Sequence, residues 1–121
     1  MKDQMIIASI QMYSTGDKER NLQTMEKYLE HINKAFPNIK MVVFPELAAH
    51  GSISNMRKEA EAIPGELTSI FSNMANKYNL WLIPGSIYEK SDNEIFNTTP
   101  VFSSGGDLLG KYRKRYPWRP N

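Results

Sequence analysis

The sequence predicts an α/β fold, a mixed sheet with helices on one face. Two observations carry that expectation. Short apolar runs alternate with stretches whose apolar residues recur every three or four positions, the β-α-β order of parallel crossovers. Near the end, Ser104-Gly105-Gly106-Asp107 separates two extended runs, and a tight glycine-rich turn of this kind joins antiparallel partners.

Each element has its own signal. Met5 to Met12 alternates, with Ile6, Ala8, Ile10 and Met12 on one face and Ile7, Ser9 and Gln11 on the other, so it reads as a strand. Asp17 is a candidate N-cap for a helix whose stripe is Leu22, Met25, Leu29, Ile32 and Phe36. Pro37-Asn38 closes it. Ile39 to Phe44 is almost wholly apolar, as expected of a strand buried on both faces. Pro45 to Pro64 is irregular, with a short helix expected around Asn55–Glu61. Leu67, Ile70, Phe71, Met74, Ala75 and Tyr78 mark a further helix, and Asn79 is its stop. Leu80 to Pro84 is the next strand, which Ile87-Tyr88 extends or restarts beyond Gly85. Ser91-Asp92-Asn93 is turn chemistry. Ile95 to Ser103 and Leu108 to Tyr112 then form the final hairpin.

A chain of 121 residues suffices for one domain, and its 40% apolar and 23% charged content is ordinary for a globular protein. No apolar run approaches the ~20 residues of a membrane span, so no membrane partner is expected. The opening Met-Lys-Asp-Gln-Met-Ile-Ile lacks the pattern of a secretory signal, and a cytoplasmic address is expected. The absence of cysteine excludes disulfides and thiolate metal sites within this sequence. His31 and His50 show no ligand spacing, so no metal is expected either. Lys111, Arg113, Lys114, Arg115 and Arg119 crowd into a segment without an acid. The remainder holds ten bases against thirteen acids. The basic character is local, and nucleic acid is not an expected partner.

Two segments carry candidate chemistry. Met41-Val42-Val43-Phe44-Pro45-Glu46 delivers a carboxylate just beyond the end of a strand, where open α/β sheets gather their functional groups. Apolar walls there disfavour the charged form and make a glutamate a useful base near neutral pH. The plainer alternative is a surface glutamate at the start of a loop. Lys111-Tyr112-Arg113-Lys114-Arg115-Tyr116-Pro117-Trp118 admits three readings. It can be a solvated edge strand blunted by charge, an anion-binding strip with interleaved aromatics, or the source of a catalytic ammonium.

Together these segments resemble two of the three catalytic segments of the nitrilase superfamily of carbon–nitrogen hydrolases. Phe96-Asn97-Thr98-Thr99-Pro100-Val101 and Ile83-Pro84-Gly85-Ser86 resemble further strands of that family, and Pro117-Trp118 resembles its aliphatic amidase and formamidase branch. The resemblance implies a Glu-Lys-Cys triad, with Glu46 as general base and Lys114 as oxyanion stabiliser. Lys111 and Arg113 become structural or salt-bridged, and Asn97 and Tyr88 become residues that support the site or touch substrate. It further implies the N-terminal half of an α-β-β-α sandwich, so residues 1–121 form one incomplete domain. The cysteine is missing from it, and the chain alone should be inert. The substrate implied is a small amide, no cofactor is needed, and the intact protein is expected to be a homo-oligomer. The competing expectation is a truncated or degenerate half-domain without catalysis, acting through association.

Overall fold

The computed structural model describes residues 3–51 and 56–117. The chain runs β1 (Ile6–Ser9), α1 (Lys18–Ala35), β2 (Ile39–Val43), α2 (Met56–Glu59), α3 (Glu66–Tyr78), β3 (Trp81–Ile83), β4 (Ile87–Ser91), β5 (Glu94–Phe102) and β6 (Leu108–Arg113). The long helices start and stop where side-chain chemistry allows. Asp17 accepts the amide of Arg20 at 3.1 Å and caps α1. Asn79 ends α3 in the left-handed region, at φ 51°. Gly65 has no side chain to cap α3, and the carboxylate of Glu61 takes the free amide of Leu67 instead.

Six strands among the described residues form one mixed sheet. β1, β2 and β3 are parallel, β5 runs antiparallel to β3, and β4 and β6 each pair antiparallel with β5. The two parallel pairs need crossovers, which α1 and then α2–α3 supply, whereas β4–β5 and β5–β6 are joined by hairpins. α1 and α3 cover one face. Met25, Leu29 and Ile32 of α1 and Leu67, Phe71 and Met74 of α3 share a core with Val42, Leu82 and Phe102 of the sheet. Each such side chain contributes about 1.5–3 kcal/mol when fully buried.

The opposite face follows from the register. Ile7, Met41 and Trp81 form one row across β1, β2 and β3, and Ser9, Val43 and Ile83 form the next. α1 and α3 leave these rows uncovered. Ile7 is half exposed, and Met41, Val43, Trp81 and Ile83 are only partly buried. The apolar β2 was expected to be buried on both faces, and here only Val42 is fully buried. Its composition suits two covered faces, but the described residues supply one cover.

Other differences are local. β1 is shorter than the expected Met5 to Met12, because its pairing with β2 ends at Ser9; Ile6 and Ile7, on either side of a register shift, are both half exposed. Ala8, Ile10 and Met12 still pack on the core. Ile87-Tyr88 restarts as a separate strand, β4, rather than extending β3. Asn55, Trp118 and Arg119 lie outside the described residues.

Candidate active site

Beyond β2 the Phe44 amide continues the ladder onto the Ile83 carbonyl at 2.9 Å, and Glu46 then opens a tight turn. Leu47 in that turn has φ 53°, a left-handed conformation that costs a branched residue about 1–2 kcal/mol. Neighbours hold it there. The buried Ser86 hydroxyl accepts the Leu47 amide at 3.0 Å. Gly85, at φ 83°, lets the backbone after β3 come so close that a Cβ would lie 1.9 Å from the Pro45 carbonyl oxygen. Asn21, buried on α1, donates to the Ala49 and Thr15 carbonyls at 2.9 and 2.8 Å and ties the far end of the turn to the helix.

The carboxylate so delivered meets two donors. Glu46 Oε1 accepts from Asn97 Nδ2 and from Lys114 Nζ, both at 2.8 Å. Asn97 lies on β5, and Lys114 follows the last residue of β6. The Lys114 amide bonds the Asn97 carbonyl at 2.8 Å, so the pairing continues one step past the strand. Both side chains stand at the end of the face that the helices leave uncovered. Beside them is a cleft of about 350 Å³, walled by Val43, Phe44, Ile83, Thr99 and Tyr112. A larger groove of about 490 Å³ between α1 and α3 lies away from Glu46. Four of its charges pair, Lys34 with Glu30 and Lys77 with Glu26, as on a solvated helix face.

Electrostatics at Glu46 run against the sequence expectation. Its hydrogen bond to Lys114 holds the carboxyl below the ordinary glutamate value, Asn97 adds to this, and partial burial opposes it. The side chain is 54% exposed, so desolvation is too weak to outweigh two donors. Tyr88 is the cross-strand partner of Asn97, and burial first, with the Glu46 charge second, raises its hydroxyl pKa. Tyr88 is not among the residues that wall the cleft. Its ring packs against His50 at 5.1 Å.

His50, at the end of the turn that Glu46 opens, is 1% exposed, and neither ring nitrogen has a hydrogen-bond partner among the described residues. Burial, and then the Lys18 charge, push its pKa down to about 4, against a smaller opposing effect of Glu59, so it is neutral at pH 7. Lys111 and Arg113 are salt-bridged, as expected, and their shared partner is the buried Glu89. The sequence reading passed over Glu89. The available signal was an acid two residues past Ile87 in a strand, so on the core side.

The carbon-nitrogen hydrolase family profile matches residues 6–121. The omega-amidase NIT3 of Saccharomyces cerevisiae is 37% identical over 109 residues, covering 84% of this chain and 37% of that protein. The human omega-amidase NIT2 is 34% identical, covering 89% of this chain and 39% of its own length. A Bacillus cereus formamidase is 27% identical, with 88% and 33% covered. Among solved structures, Saccharomyces cerevisiae Nit3, a member of branch 10 of the nitrilase superfamily, superposes with a TM-score of 0.83 at 32% identity, covering 93% of this chain and 44% of that one. An amidase from Nesterenkonia sp. shares the fold, with a TM-score of 0.81 at 19% identity and 96% and 44% covered. The chain thus spans well under half the length of these curated relatives. With family profile, relatives and fold in agreement, the chain belongs to the carbon–nitrogen hydrolases of the nitrilase superfamily, whose N-terminal portion it matches.

Proposed function

We propose that these residues supply the base and the oxyanion stabiliser of an amidase that hydrolyses a small amide through a Glu-Lys-Cys triad. The cysteine, which the 121 residues do not contain, comes from sequence outside them. Glu46 takes the thiol proton and the thiolate attacks the amide carbonyl carbon. The Lys114 ammonium stabilises the negative oxygen of the tetrahedral intermediate. Collapse breaks the C–N bond, and Glu46 returns the proton to the leaving ammonia or amine. Water then attacks the thioester, Glu46 accepts its proton, and the acid departs as the thiol reforms.

The observation that carries this reading is the convergence of Lys114 and Asn97 on one oxygen of Glu46, beside a cleft at the end of the sheet. The names of the relatives, omega-amidases and a formamidase, favour short amides as substrates. In this reading residues 1–121 are one incomplete domain of a cytoplasmic homo-oligomer and are inert alone, since loss of a triad nucleophile costs on the order of 10⁶ in turnover. The product of the complete reading frame should release ammonia from short amides, and Lys114→Met should slow that release by about 10²-fold or more. Undiminished release by the variant would remove Lys114 from the mechanism.

A second reading, a half-domain that acts through association without catalysis, is favoured by the uncovered apolar rows around Ile7, Met41 and Trp81. A complete reading frame without a cysteine would select it.

A further inference from the structure

β6 poses a problem of register. Among the described residues it pairs with β5 alone, Leu108 to Tyr112 are all exposed, and a bulge interrupts the pairing between Val101 and Phe102. Hydrophobic burial sets strand register only where a face is buried, so it specifies β6 weakly. Yet a slip of one residue would turn Lys114 toward the helix side and Arg113 toward the cleft.

Glu89 supplies what burial does not. Its carboxylate is 1% exposed on the helix side of β4, where it faces Phe96 across the β4–β5 pair. Among the described residues, the partners of its carboxylate come from β5 and β6. Arg113 donates a two-pronged pair, Nε to Oε2 and Nη2 to Oε1, each at 2.9 Å. Lys111 Nζ donates to Oε1, and Thr98 Oγ1 donates to Oε2 at 2.6 Å. The Arg113 guanidinium also lies 4.0 Å from the centre of the Phe96 ring. A planar fork on a carboxylate fixes orientation as well as distance. Arg113 and Lys111 share one side of β6 by alternation, and Lys114 takes the other.

We propose that Glu89 is a positioning residue that locks β6 by its Arg113–Lys111 clamp and so aims Lys114 through the sheet at Glu46. The proposal rests on Glu46 and Lys114 forming the working pair, as the previous subsection reads them. The clamp also accounts for a buried carboxylate that otherwise has no reason to be there. A buried acid is costly unless every lone pair has a donor, and this one has four donors from two strands.

The sign of one shift separates positioning from through-space electrostatics. Removing the negative charge of Glu89 would by itself make Glu46 easier to ionise, lowering its pKa. Loss of the clamp does the reverse, because Glu46 loses its Lys114 donor. Carbon-13 NMR titration of Glu46 in the 121-residue chain should therefore show an upward shift in Glu89→Gln. The Lys114 amide should exchange with solvent about tenfold faster or more. Arg113→Lys, which keeps the charge and loses the fork, should shift Glu46 in the same direction and keeps the test decisive if Glu89→Gln does not fold. Lys77→Met, which breaks an exposed pair on α3, should leave Glu46 unmoved. Lys114→Met calibrates the readout by raising the Glu46 pKa directly. If Lys114→Met raises it while Arg113→Lys and Glu89→Gln do not, the clamp is wrong and the Glu46–Lys114 pair stands. If Lys114→Met has no effect either, both fall.

Discussion

At Glu46 two donors converge on one carboxylate oxygen, and their effect on ionisation can be read from a pH profile. A base works only when deprotonated, so on the proposed reading a carboxyl held below its ordinary value should keep the complete protein active further into acid. Asn97→Ala removes one donor. The acid limb of kcat/KM should move to higher pH in that variant, and an unmoved limb would mean that Asn97 does not tune the base. His50 gives a second titration. Its folded pKa of about 4 lies below its ordinary 6.5, so the unfolded chain binds the extra proton first. Stability should fall as the pH drops from about 6.5 to about 4, by up to roughly 1.4 kcal/mol per pH unit, and stay level above that window. Chemical denaturation across this range should show the slope, and His50→Leu should flatten it. An equal slope in both proteins would assign the acid sensitivity elsewhere. Glu89, whose pKa the Arg113 hydrogen bonds above all hold down to about 2, stabilises fully above about pH 4.5 and loses that contribution as the pH falls from there toward about 2, a separate signature.

The elements differ in how far their own residues announce them. α1 and α3 were legible because period, cap and stop agree: Asp17 and Asn79 do what their chemistry predicts. β1 was overextended because alternation persists through Met12 while the strand pairing of β1 stops at Ser9. The turn after β2 was the least legible segment. It depends on Asn21, Gly85 and Ser86, which are distant in sequence, and no local pattern reports a carbonyl waiting for a donor. Gly85→Ala should destabilise the chain by about 2 kcal/mol or more, since a Cβ would meet the Pro45 carbonyl oxygen and the positive φ adds strain. Ser86→Ala should cost about 1–3 kcal/mol by leaving the Leu47 amide unsatisfied. Thermal melts check both, and near-wild-type stability of either would show that the turn is held by other means.

Across the whole molecule, the fold class and the helix-covered face could be read from residue patterns, but the site could not. Glu46 and Lys114 are 68 residues apart, and only the resemblance to a known family linked them before the fold did. The direction of the Glu46 shift was misread because it depends on donors from β5 and the end of β6, not on local apolarity. Glu89 was missed for the same reason. The uncovered face predicts behaviour too. The 121-residue chain should associate as its concentration rises in sedimentation, and Ile7→Lys should weaken that association, because a contiguous apolar surface favours contact. A chain that stays monomeric throughout would mean that the face is tolerated in water. The central claim is that Glu46 is the base of a cysteine amidase completed by sequence outside these residues. Its most direct test is ammonia release from a short amide by the product of the complete reading frame, wild type against Glu46→Gln. The account predicts a loss of about 10⁴-fold or more in the variant; equal rates would contradict it.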